Sequence, residues 1–149
     1  MGRQDGCKKI SGLEGSGASE KSFMKNPLPE PVLKAWDERE PIAVLATVAN
    51  DGSPNAIYVG VVGLYDASTV FVANNYFHKT KQNILDGTKA ALLFITKEHK
   101  AYQIKGTIEL QDSGPVFEAM KRVNPEKYPG HSAAVLHVEE VFTGAEQLV

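Results

Sequence analysis

Residues 78–80 set an imidazole, an ammonium and a hydroxyl side by side, His78-Lys79-Thr80, between the β-branched run "VFVANN" and the amphipathic "KQNIL". A helix start leaves backbone N–H groups unpaired and carries partial positive charge. A phosphate placed there would meet the dipole, the Lys79 charge and the Thr80 hydroxyl together. A plainer role fits equally well, with Thr80 capping the helix and Lys79 in water. This stretch alone does not choose between an anion cradle and an ordinary cap.

Other chemistry finds less support. The four histidines, His78, His99, His131 and His137, show neither i,i+4 nor His-x-His spacing, and no acidic residue stands at a metal-motif distance, so no metal site is expected. The chain has no Gly-x-Ser-x-Gly elbow, Walker loop or Gly-x-Gly-x-x-Gly fingerprint. "GVVG" at 60–63 lies inside a strand pattern, where small residues mark a bulge or a close backbone approach. Tyr76 and Tyr102 read as rim or core aromatics. Gln103 and Lys105 alternate with Tyr102 and Ile104 and face either a polar cavity or solvent. No side chain is nominated as a catalytic acid or base.

The elements that must position these residues follow from periodicity. "LPEPVLKAWDERE" predicts a short amphipathic helix, with Pro31 in its first turn and Val32, Leu33 and Trp36 at helical spacing. From residue 42 the period shortens, and strands are predicted at 42–48, 55–65, 68–74, 90–96, 101–110 and 133–142. "ANDGSPN" is a hairpin signal, because Asn-Asp-Gly supplies the positive φ that a tight turn needs. "HKTKQNILDG", stopped by Gly87, and "GPVFEAMKRV", opened by Pro115, predict two further helices. Six mostly antiparallel strands in so small a unit favour closure into a barrel, because an open sheet would leave long edges exposed. The expected fold is therefore mainly β, a six-stranded antiparallel barrel with a few short peripheral helices.

A chain of 149 residues suits one core. Residues 1–23 are Gly/Ser/Lys/Glu-rich and bury too little to offset the entropy of ordering them, so a flexible arm is expected at 1–23 and the folded domain at 24–149. The net charge of −2 is not gathered into blocks, which argues against nucleic acid and polybasic membrane partners. Cys7 is the only cysteine, so no disulfide framework or thiolate metal cluster is expected. No apolar run approaches the ~20 residues of a bilayer span, and the N-terminus has no apolar signal core. These features together predict a cytoplasmic protein.

The order of pieces is informative beyond each piece: "LATVANDGSPNAIYVGVV", "VFVANNYFHKTKQNILDGTKAALLFIT", "YQIKGTIEL", "GPVFEAM" and "GAEQLV". From residue 28 to 149 the chain resembles the FMN-binding split-barrel family typified by pyridoxamine 5′-phosphate oxidase, and within it the small bacterial FMN-binding proteins. The resemblance implies a split antiparallel barrel and a homodimer with FMN at its interface. By similarity, Lys79 and Thr80 hold the phosphate. Tyr58, Val59, Gly60 and Val61 line the ribityl and phosphate side, and Val72, Ala73, Asn74 and Asn75 border the isoalloxazine. Leu148 and Val149, after the family-like "AEQ", approach the partner's flavin.

Gly60, Val61 and Val62 stand where the small FMN-binding proteins offer polar residues, and the "GLYDAST" hairpin is shorter than theirs. The basic C-terminal substrate motif of pyridoxamine 5′-phosphate oxidase is lacking, so that particular activity is not expected. What the resemblance implies is an FMN-dependent oxidoreductase, with a nicotinamide nucleotide or a redox protein as possible electron donor. The alternatives are an FMN carrier or electron-transfer module without its own substrate, and a small-ligand barrel that has lost the flavin.

Overall fold

The computed structural model describes residues 26–149. The arm expected at 1–23 lies outside the described residues. Three helices, α1 (Glu30–Asp37), α2 (Lys79–Leu85) and α3 (Pro115–Val123), accompany eight strands. The strands are β1 (Ala43–Val48), β2 (Pro54–Val59), β3 (Val62–Asp66), β4 (Thr69–Asn74), β5 (Lys89–Ile95), β6 (Ala101–Gln111), β7 (Ser132–Thr143) and β8 (Glu146–Gln147).

All pairings are antiparallel, in the order β2-β1-β5-β6-β7-β4-β3, with β8 added to β7. The two ends of this path, β2 and β3, are neighbours in sequence, separated only by Gly60 and Val61. Two residues cannot span a flat seven-strand sheet, so the sheet must curl until its ends nearly meet. A gap remains between the ends, which makes the barrel split. This corrects the single strand expected at 55–65 and raises the expected six strands to eight. The chain leaves one end of the sheet at Val59 and enters the other at Val62, and periodicity runs through that crossing without a break. The short β8 gives no periodic signal at all.

Burial follows the pleat. β6 alternates between buried and half-buried positions, as expected of a strand with one face on the core. β4 is buried throughout, because Val70 and Val72 face the barrel interior while Phe71 and Ala73 are covered from outside by Val116 and Met120 of α3. At one end Trp36 of α1 meets Phe94 edge-on at 5.1 Å, and Phe94 stacks on Tyr102 at 5.5 Å. The Arg39 guanidinium lies over Trp36, and its Nη2 donates to the Val62 carbonyl, fastening α1 to the start of β3.

The hairpin expected at "ANDGSPN" forms as read, with Gly52 at φ +88° and Val48 opposite Pro54. A bulge between Lys105 and Gly106 bends β6 against β7, and there only glycine fits, because a Cβ would overlap the His137 carbonyl oxygen. The outer face of β2-β1-β5-β6 is covered by no described helix. Across it run two rows, Tyr58-Val44-Leu93-Gln103 and Ala56-Ala46-Ala91-Lys105.

Candidate functional site

β4 delivers the chain to α2 through a turn built on Asn74. Its Oδ1 accepts from the Phe77 backbone N–H at 3.1 Å, and its Nδ2 donates to Ser132 Oγ at 3.0 Å. His78 occupies the N-cap position without a side-chain capping bond. Thr80 is not the cap either. It lies inside the first turn with 1 % exposure, and its hydroxyl accepts from Asn55 Nδ2 at 2.9 Å. One turn later Asn83 Nδ2 donates to the buried Thr47 hydroxyl at 3.0 Å. Two polar side-chain bonds thus pin α2 to the β1–β2 hairpin. Lys79 lines a groove of about 520 Å³ with Phe77, His78, Lys81, Gln82 and Leu85, and its charge also lies near Asp51 on the hairpin.

Where the two ends of the sheet approach each other lies a cavity of about 490 Å³. Tyr58, Val59, Gly60, Val61, Ala73 and Asn75 line it, joined by Ile42, Ile57, Tyr76, Phe77 and Tyr128. Two expected residues lie elsewhere. Val72 is fully buried in the barrel core, and the Asn74 side chain is engaged in its turn. Asn75 lines the cavity, and its amide is bonded to Asn124 and to the Gly130 N–H.

Val149 lines a third place, a cleft of about 600 Å³ on the outer sheet face with Ala46, Val48, Ala91, Lys105 and Gln147. The tail is fixed there, Leu148 N–H donating to the Val141 carbonyl at 2.7 Å. At the rim of this cleft Glu139 accepts a hydrogen bond from Lys89 at 2.8 Å, which raises the Lys89 pKa above its ordinary value. The cleft and the cavity share no lining residue within one chain.

Cavity and groove share Phe77 as a lining residue, so an apolar, aromatic space and a cationic one are neighbours. Neither lining contains a carboxylate, while His78, Lys79 and Lys81 gather in the groove. Among the described residues no group of acidic, histidine or cysteine side chains could hold a metal ion, and no helix is long and apolar enough to cross a membrane. Sequence reasoning missed Ile42, Ile57, Phe77 and Tyr128 as site residues and read Tyr76 only as a rim or core aromatic. The only signal for Tyr128 is the turn-rich "NPEKYPG", whose fold beside Asn75 depends on contacts distant in sequence.

A curled antiparallel sheet with a cavity at its split and a short helix beside that cavity defines a split-barrel protein. The chain belongs to the pyridoxamine 5′-phosphate oxidase family, whose model matches residues 29–144, and membership supports flavin binding at the level of the family. It is 31% identical over 121 residues to an uncharacterized protein of Methanocaldococcus jannaschii, covering 77% of this chain and 79% of that one. Among solved structures it resembles HupZ of Group A Streptococcus, with 28% identity, a TM-score of 0.63, and coverage of 72% of this chain and 87% of that chain. An FMN-binding protein of Syntrophomonas wolfei shares the fold at 17% identity, with a TM-score of 0.63 over 76% of this chain and 83% of its own.

Proposed function

We propose that the protein binds FMN as a homodimer and acts as an FMN-dependent oxidoreductase. One observation carries this reading: the aromatic cavity and the cationic groove meet at Phe77 and neither presents a carboxylate. That donor set suits a planar aromatic ring with an anionic tail, because carboxylates would repel the phosphate and tyrosine faces favour the ring.

Lys79 holds the phosphate from the groove, with unpaired N–H groups at the start of α2 alongside. Thr80 contributes by fixing the helix start through Asn55. The ribityl chain lies along Tyr58, Val59, Gly60 and Val61, and the ring is bordered by Ala73. When bound, FMN supplies the one- and two-electron chemistry.

The rows on β2-β1-β5-β6, apolar from Tyr58 to Leu93 and from Ala56 to Ala91 and bare of any described helix, support the dimer, since a sheet face of this kind is stabilised by burial against a second copy. In that assembly the tail at Leu148 and Val149 approaches the partner's flavin. The second reading is an electron carrier without its own substrate. It is favoured by a cavity lining whose only titratable groups are tyrosine hydroxyls, with no histidine or carboxylate.

The visible spectrum of the purified protein tests the flavin, and a colourless protein that stays colourless with added FMN overturns the reading. Anaerobic NADPH or NADH then separates the two roles, because a reductase bleaches promptly and a carrier keeps its colour.

A further inference from the structure

The segment from Asn124 to His131 is a strap fastened to the cavity wall by Asn75. Asn75 and Asn124 exchange two amide hydrogen bonds, at 3.0 and 3.1 Å, and the Gly130 N–H donates to Asn75 Oδ1 at 2.8 Å. Lys121 Nζ donates to the Pro129 carbonyl at 3.1 Å, and the His131 N–H to the Asn74 carbonyl at 2.9 Å. Gly130 sits at φ +54°, and a Cβ there would lie 2.8 Å from Asn124 Nδ2, so the latch closes only around glycine.

Held this way, the strap carries the half-buried Tyr128 to the cavity, where its ring stands perpendicular to Tyr76 at 6.2 Å. Tyr76 is 73 % exposed, yet this edge-on neighbour fixes one side of its ring. A large aromatic ring held by an edge contact and otherwise open is a stacking platform. The Asn75 amide, by contrast, is committed to Asn124 and Gly130.

We propose that Tyr76 is a ring-stacking residue of this site and that Asn75 and Tyr128 are its positioning residues, acting through the strap. The inference rests on the flavin reading and extends it. The planar ring in the cavity stacks on Tyr76, Tyr128 braces Tyr76 through their perpendicular contact, and Asn75 sets Tyr128 without touching the ring through its amide.

FMN and riboflavin titrations of the full chain, read by flavin fluorescence, test this. Tyr76→Ala weakens both flavins alike, by roughly threefold to tenfold, and relieves quenching of the bound flavin. Tyr76→Phe keeps both affinity and quenching. Asn75→Ala and Tyr128→Ala weaken both flavins in the same direction by a smaller factor. Neither has a further effect on affinity or quenching when combined with Tyr76→Ala, a non-additivity that general destabilisation does not produce.

Equal effects of Asn75→Ala introduced into the wild type and into the Tyr76→Ala variant overturn the positioning role. Unchanged affinity and quenching in Tyr76→Ala overturn the stacking role while wild-type flavin binding stands. A wild type that binds neither flavin overturns the flavin reading and this inference with it.

Discussion

Asn55 on the edge strand β2 donates to the buried hydroxyl of Thr80 across 2.9 Å, so the first turn of α2 is positioned by a residue 25 places earlier in the chain. The aromatic cavity and the groove holding Lys79 therefore keep their relation through this bond and its neighbour between Asn83 and Thr47.

Removing that bond should loosen the fold before it touches any ligand. Thr80→Val keeps the shape and deletes the acceptor, leaving Asn55 short of a partner. The expected cost is about 1 to 2 kcal/mol. For a domain of this size that lowers Tm by about 3 to 8 °C, measurable by thermal denaturation monitored by circular dichroism.

Lys79→Ala should separate phosphate from ring. A charge-assisted contact of about 1.5 to 3 kcal/mol corresponds to a loss of about ten- to a hundredfold in FMN affinity. Riboflavin, which has no phosphate, should bind wild type and variant nearly alike. Equal weakening of both ligands would mark Lys79 as an ordinary solvated lysine.

The assembly is tested on the outer sheet face. Leu93 is partly exposed there, in register with Val44 and Gln103, so Leu93→Glu should leave the barrel folded while placing a charge in the dimer interface. Light scattering is expected to give a dimer for wild type and a monomer for the variant. A wild-type monomer at micromolar concentration with FMN bound contradicts the proposed dimer.

Gly106→Ala should be among the most damaging small substitutions available. Its methyl group would overlap the His137 carbonyl oxygen at the bulge, and both residues lie in the paired strands β6 and β7. Destabilisation of about 3 kcal/mol or more is expected. Urea midpoints, or failure to accumulate as soluble protein, would show it; a midpoint near that of wild type would mean that the bulge can shift cheaply.

Acid should act on the β1–β2 hairpin through Asp51. A hydrogen bond from the Ser53 backbone N–H, helped by the nearby Lys79 charge, holds the Asp51 pKa below its ordinary value. A depressed folded-state pKa means stability that is present above the unfolded value of about 3.9 and lost as pH falls through the folded one. Asp51→Ala should therefore lower the urea midpoint at pH 7, and the gap from wild type should shrink as pH drops below about 4. A gap independent of pH would assign the effect to turn geometry instead.

Local chemistry made much of the fold legible in the sequence. Asn50-Asp51-Gly52 dictates a tight turn because few residues accept a positive φ, and Pro115 with the Val116/Met120 stripe dictates a helix with one buried face. Val/Ile/Phe/Tyr-rich runs between turn residues marked five of the strands, and the order of motifs pointed to the family. The break at Gly60-Val61 was not legible, because the pattern of small and β-branched residues continues across it. Only the curl of the sheet makes that point a crossing from one end to the other. The fates of Thr80, Asn75 and Tyr128 were likewise settled by tertiary structure. Which hydroxyl is buried, which amide is spent on a latch and which ring reaches a cavity depend on partners 25, 49 and 52 residues away, at Asn55, Asn124 and Tyr76. Residue type and spacing fix what a side chain can do, and packing selects the partner with which it does it.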